Sequence, residues 1–231
     1  MAQYVTSQTA AESAAATLFK SLYMQMAAAL TITGLVAYFL SESVDFWYFL
    51  AENSFAIWGI FIAQIVLVIW LSARLPKMSM TSATLLFILY SALMGVTKST
   101  IFMIYTLSSI ASVFFITAGT FLVMSLIGFF TRIDLTRVGS LLFMALVGLI
   151  IASVVNIFLH SETLYWVVSY AGVVIFVGLT AYDTQKIKNT FIQYGEVDEM
   201  GQKLALFGAF SLYLDFINLF LHLLRIMGDR R

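Results

Sequence analysis

The sequence predicts an all-α polytopic membrane protein of seven transmembrane helices, and three observations carry that reading. Apolar residues make up 61% of the 231 positions and charged residues only 10%, far from the make-up of an ordinary soluble domain. The apolar residues fall in seven runs, each of roughly the 20 residues that a helix needs to cross a bilayer. The chain has a single proline, Pro76, and lacks the alternation over roughly 10 residues that membrane β-strands show.

Windows of about 19 residues place the spans near 22–40, 55–73, 81–97, 102–130, 138–158, 164–183 and 204–227. Residues 1–21 read as a polar N-terminal segment, 22–228 as one membrane domain and 229–231 as a short tail. The run after Lys20 has no clear cleavage site and reads as a retained first span. The fourth window is too long for one span, so part of the stretch from Ile101 to Ala111 is expected to be loop or interfacial helix.

Loop charges set the expected orientation, because lysine and arginine concentrate on the cytoplasmic side. Glu42, Asp45 and Glu52 have no basic companion and place the first loop outside. Arg74 and Lys77 place the second loop inside, Arg132 and Arg137 the fourth, and Lys186, Lys188 and Lys203 the sixth. The N-terminus is then cytoplasmic and the C-terminus external, although Arg225, Arg230 and Arg231 crowd that end. Either the last span crosses despite its basic tail or it re-enters. The stretch from Leu204 to Met227, roughly 36 Å as a helix, favours a crossing.

Net charge is zero and no long basic block occurs, so no nucleic-acid partner is expected. The absence of cysteine excludes disulfides, thiolate metal sites and cysteine nucleophiles. Nothing in the sequence calls for a cofactor.

Asp215 stands near the middle of the last span. A carboxylate there costs about 2.5–3.5 kcal/mol on insertion scales, and an ionisable residue at that depth points to function. At 100° per residue, Ser211, Asp215, Asn218, His222 and Arg225 fall within an arc of about 80°. Acyl chains cannot solvate such a stripe, so it must face other helices or a water-filled cavity. Interhelical hydrogen bonding is the structural alternative, strongest for Ser211, Asn218 and His222. His222 alone makes a poor metal site. Asp183, at the end of the sixth span, reads either as an interfacial acid beside Lys186 or as a functional carboxylate. Counted by depth, the two aspartates are expected to lie about 10 Å apart unless the seventh helix begins deeper, near Gly208. Arg74 either snorkels to the interface or reaches a carboxylate.

From about Ile110 to Gly228 the chain resembles the Bax-inhibitor (transmembrane Bax inhibitor motif) family. The resemblance rests on Ile116-Thr-Ala-Gly-Thr-Phe121, on Leu149-Ile-Ile-Ala-Ser-Val-Val-Asn156, on Gly178-Leu-Thr-Ala-Tyr-Asp-Thr-Gln-Lys-Ile-Lys188, on Leu212-Tyr-Leu-Asp-Phe-Ile-Asn-Leu-Phe220 and on Leu224-Arg-Ile-Met-Gly228. It implies six helices around a central seventh and a pH-sensitive calcium leak, and the compactness of the chain favours a bacterial cytoplasmic (inner) membrane. It further implies that Asp183 and Asp215 form a di-aspartyl sensor able to contact the passing calcium, with Arg74 as a latch. A second-span acid of some relatives is Gln64 here.

Two rivals follow from the same features. Intramembrane aspartyl proteases also place one aspartate on each of two helices, and Tyr182-Asp183 matches their first element. Leu212-Tyr-Leu-Asp215 lacks the glycines of the second, and no Pro-Ala-Leu element exists, so a non-enzyme is expected. The other rival is a regulator that conducts no ions and binds another membrane protein, such as a quality-control protease.

Overall fold

The computed structural model describes the backbone of residues 2–74 and 77–231, with the side chains of these other than 2–10 and 54. Pro76 lies outside the described residues. Eight helices form among them: α1 (Ala2–Ser41), α2 (Val44–Glu52), α3 (Ser54–Arg74), α4 (Met80–Ile104), α5 (Leu107–Phe130), α6 (Thr136–Leu159), α7 (Glu162–Tyr194) and α8 (Glu199–Met227). All but α2 are long and apolar enough to cross a membrane, so the expected all-α class with seven spans stands.

Local chemistry explains where the helices break. The long fourth window divides at Tyr105 and Thr106, inside the stretch expected to interrupt it. The Thr106 hydroxyl accepts the Ser109 N–H at 3.3 Å and so opens α5, as a threonine at a helix N-cap does. The helix α2 was not expected. Its signal is Ser43, whose hydroxyl accepts the Phe46 N–H at 3.3 Å, but nine residues are too few for a span-length window.

The helix α7 runs well past the expected span end near 183. Its later turns are polar in sequence, yet Ile187 and Phe191, one turn apart, are buried. The lysines expected in the sixth loop therefore sit on helices. Lys186 and Lys188 belong to α7, while Lys203 of α8 pairs with Glu199 at 2.9 Å.

The chain packs as two compact units. The first holds the residues up to Tyr105 together with Phe191–Phe210 and Arg231. Here α1 packs on α4, α4 on α3, and α3 on α2. Buried Ser91, Gly95 and Ser99 lie four residues apart on α4. A Cβ at Gly95 would come within 2.7 Å of the Thr33 carbonyl oxygen, so this small-residue row is what lets α1 approach. Phe210 meets Phe87 and Tyr90 edge to face, with ring centres 5.5 and 5.2 Å apart. Gln64 donates to the Leu93 carbonyl at 2.7 Å and the Thr97 hydroxyl at 3.1 Å, tying α3 to α4.

The turn from α7 to α8 also belongs to this unit. Gly195 ends α7 with φ of 72°, in the left-handed region that favours glycine. Asp198 opens α8: its carboxylate accepts the Gly201 N–H and the Tyr194 hydroxyl, both at 2.7 Å. These bonds, the backbone one foremost, hold its pKa below the ordinary carboxylate value. A depressed folded-state pKa stabilises above the unfolded value, and that contribution disappears as pH falls through the folded value. Asp198→Ala should therefore melt below wild type at neutral pH, with the gap closing in acid; thermal unfolding in detergent at a series of pH values measures this.

The second unit comprises Thr106–Thr190 and Ser211–Arg230. On α5, Ser109, Val113, Thr117, Phe121 and Ser125 are buried at every fourth position. Phe216 of α8 packs edge to face on Phe114 and Phe121. By contrast, α6 buries only Gly139 and Leu149, which suits a helix largely facing lipid.

Candidate functional site

Along its second half, α8 lays its polar stripe against one face of α7. Ser211 donates to Asp183 Oδ2 at 2.7 Å. His222 stacks on Phe176, with ring centres 5.7 Å apart and planes at 25°, and its ring fills the space that a Cβ on Gly172 would need. Further along, the Arg225 guanidinium lies 5.8 Å from the centre of the Tyr165 ring. The α7 partners are thus Tyr165, Gly172, Phe176 and Asp183, spaced seven, four and seven residues apart. At 100° per residue that spacing keeps them within about 40° of one another. Residue numbers rise on one helix as they fall on the other, so the two run antiparallel.

This register corrects the expected depth of the aspartates. Asp183 does not end its helix, because α7 continues to Tyr194. It lies level with Ser211, and Asp215 follows Ser211 by four residues, about 6 Å along the axis rather than about 10 Å.

Their surroundings differ. Asp183 is half-buried and holds the Ser211 hydroxyl bond. No ion pair joins it to Lys186 among the described residues; the Lys186 ammonium lies 6.0 Å from the centre of the Tyr182 ring. Asp215 is 6% exposed, and its Oδ2 is buried without a hydrogen-bond partner. A buried polar atom left unpaired costs on the order of 1–3 kcal/mol.

The remaining stripe residues divide. Asn218 turns back and donates to the Leu214 carbonyl of its own helix at 2.8 Å. His222 is buried, and its Nδ1 has no hydrogen-bond partner. Arg225 is exposed. Arg74 is the last residue of α3, is exposed, and belongs to the first unit. Among the described residues no group of three or more His, Cys, Asp or Glu side chains is arranged to hold a metal ion.

Close helix contacts hold Asp183 in place. Its predecessors Ala181 and Tyr182 occupy the space beside Gly128 of α5 and Gly139 of α6, where a Cβ would meet the Ala181 carbonyl and the Tyr182 ring. Just beyond Asp183, Gln185 binds two backbone groups of the α5–α6 connection, donating to Ile133 O and accepting from Leu135 N, both at 2.8 Å. Lys188 donates to the Phe129 carbonyl at 2.7 Å, satisfying an end group of α5. The Thr184 hydroxyl contacts Ser125 at 3.3 Å.

The His222 seat makes a direct prediction. Gly172→Ala should force the imidazole from its place, and overpacking of this kind costs about 1–3 kcal/mol. A fall in melting temperature of the detergent-solubilised protein measures it.

Seven membrane-length helices with two carboxyl groups on facing spans define a polytopic helical membrane protein with ionisable groups inside its bundle. A family model described as "Inhibitor of apoptosis-promoting Bax1" matches residues 15–231. The Inner membrane protein YbhL of Escherichia coli is 50% identical over 216 residues, covering 93% of this chain and 92% of YbhL. A protein of Borreliella burgdorferi is 48% identical over 206 residues, covering 89% of each chain, and RP147 of Rickettsia prowazekii is 43% identical over 210 residues, covering 91% of this chain and 88% of its own. The chain belongs to the Bax inhibitor family of membrane proteins.

Proposed function

We propose that the chain is a pH-sensitive calcium leak of the bacterial inner membrane, gated by Asp183 and Asp215. The observation that carries this reading is the buried, unpartnered carboxyl oxygen of Asp215 one turn from Ser211, whose hydroxyl binds Asp183. Two ionised carboxylates at this separation repel, and a proton shared between them removes the repulsion, so the charge state of the pair is a switch. Carboxylate and hydroxyl oxygens are also the donors that calcium takes, and the pair offers contacts to an ion in transit.

Several features support the setting. The name of YbhL suits an inner-membrane location, and the loop charges suit a cytoplasmic N-terminus. In α8, 61% of the most apolar 18-residue stretch is buried, against 6% in α6 and 44% in α7, which favours α8 as the central helix of the bundle. Arg74 acts in this reading as a latch on the closed state, so Arg74→Gln should raise the resting leak severalfold.

Calcium flux into proteoliposomes, followed with a trapped indicator from mildly acidic to mildly alkaline pH, tests the proposal. Purified protein that passes no calcium at any pH would overturn it.

A further inference from the structure

The last turn of α8 and the tail that follows carry positive charge that the calcium reading does not use. If the last span crosses, these arginines also stand on the side where positive charge is depleted. Arg225 and Arg230 line a cavity of about 420 Å³ together with Glu162, Tyr165, Trp166 and Gly228. Tyr165 gathers the two guanidiniums: its ring faces Arg225, and its hydroxyl accepts from Arg230 Nη2 at 3.1 Å. The tail is itself anchored, since the Asp229 N–H donates to the Ser109 hydroxyl at 2.9 Å and the Asp229 carbonyl accepts the Thr106 N–H at 3.1 Å.

Two guanidiniums brought together on one phenol form a fork suited to phosphate oxygens. Glu162, the only carboxylate among the lining residues, offsets one of them. The cavity then carries a single net positive charge, which matches a phosphodiester better than a phosphate dianion. The first turn of α7 and the last turn of α8 are also where these spans reach the membrane interface. Trp166, exposed just past the first turn of α7, stacks on exposed Tyr170 one turn further in, with ring centres 6.1 Å apart, and such aromatics are enriched near the interface. We propose that this cavity binds the phosphodiester headgroup of an anionic phospholipid.

Native mass spectrometry of the purified full-length protein with added phosphatidylglycerol tests the assignment, with inorganic phosphate in lipid-free detergent as the second arm. Wild type should retain phosphatidylglycerol and take up phosphate weakly. Arg225→Gln and Arg230→Gln should each weaken lipid retention by about tenfold, as loss of a charge-assisted hydrogen bond does. Tyr165→Phe keeps the ring, removes only the hydroxyl that seats Arg230, and should weaken retention to a smaller degree. Arg231→Gln removes the same charge from a residue outside the lining and should leave retention unchanged. Equal retention by wild type and the Arg225 and Arg230 variants would overturn the site, as would an equal loss in Arg231→Gln. Inorganic phosphate that binds as tightly as the lipid and displaces it would assign the cavity to free phosphate instead.

Discussion

Asp215→Asn should abolish the pH dependence of calcium flux while leaving the protein folded. Asparagine keeps the shape of the side chain and removes its titration, so the pair can no longer gain or lose a shared proton. Flux should then stay at one level across the pH range over which the wild type changes, and Asp183→Asn should flatten the profile in the same way. Stability should move the other way from what a lost structural contact would give. Asp215 Oδ2 has no hydrogen-bond partner to lose, and a charge at this depth carries an insertion penalty of about 2.5–3.5 kcal/mol. Asp215→Asn is expected to melt no lower than wild type. Unaltered pH profiles in both variants would remove the acid pair from the gating mechanism.

Gly128→Ala should produce the largest loss of stability among single-methyl additions in the second unit. The new Cβ would meet the carbonyl oxygen, carbonyl carbon and Cα of Ala181. Backbone atoms cannot swing aside as a flexible side chain does, so α5 and α7 must separate. Overpacking lies at about 1–3 kcal/mol, and a rigid neighbour places this case near or above the upper end. Since Ala181 precedes Asp183 by two residues, the pH response should shift as well. Gly148→Ala is the matched control: nothing lies within 4 Å of its added Cβ, and replacing a helical glycine with alanine favours the helix by about 1 kcal/mol. Melting curves of the two variants beside wild type decide the matter.

The parts of the fold that face lipid were the parts legible in the sequence, because hydropathy reports exposure to acyl chains. It found the seven spans and the break near Tyr105, but it stopped α7 at Asp183. Beyond that point the sequence turns to threonine, glutamine and lysine while the helix continues, buried through Ile187 and Phe191. That truncation produced the overestimate of aspartate depth. Half of the candidate site was readable for a different reason: Ser211, Asp215 and His222 are conspicuous in an apolar run. Their α7 counterparts Phe176 and Tyr165 are ordinary residues for a span, and only their shared helical face marks them. The cavity near Tyr165 left one trace in the sequence, the excess of arginine at the C-terminal end.

The attachment of Gln185, Thr184 and Lys188 to the end of α5 and the connection after it has a mechanical consequence. Both hydrogen-bonding ends of one side chain hold the backbone on either side of Asp134, so this turn of α7 cannot shift without dragging the connection with it. The connection is a pointer fixed to the shaft that carries Asp183. Asp134 and Arg132 are exposed on that pointer, so a spin label or fluorophore placed there would register movement of Asp183 without altering a residue of the seam.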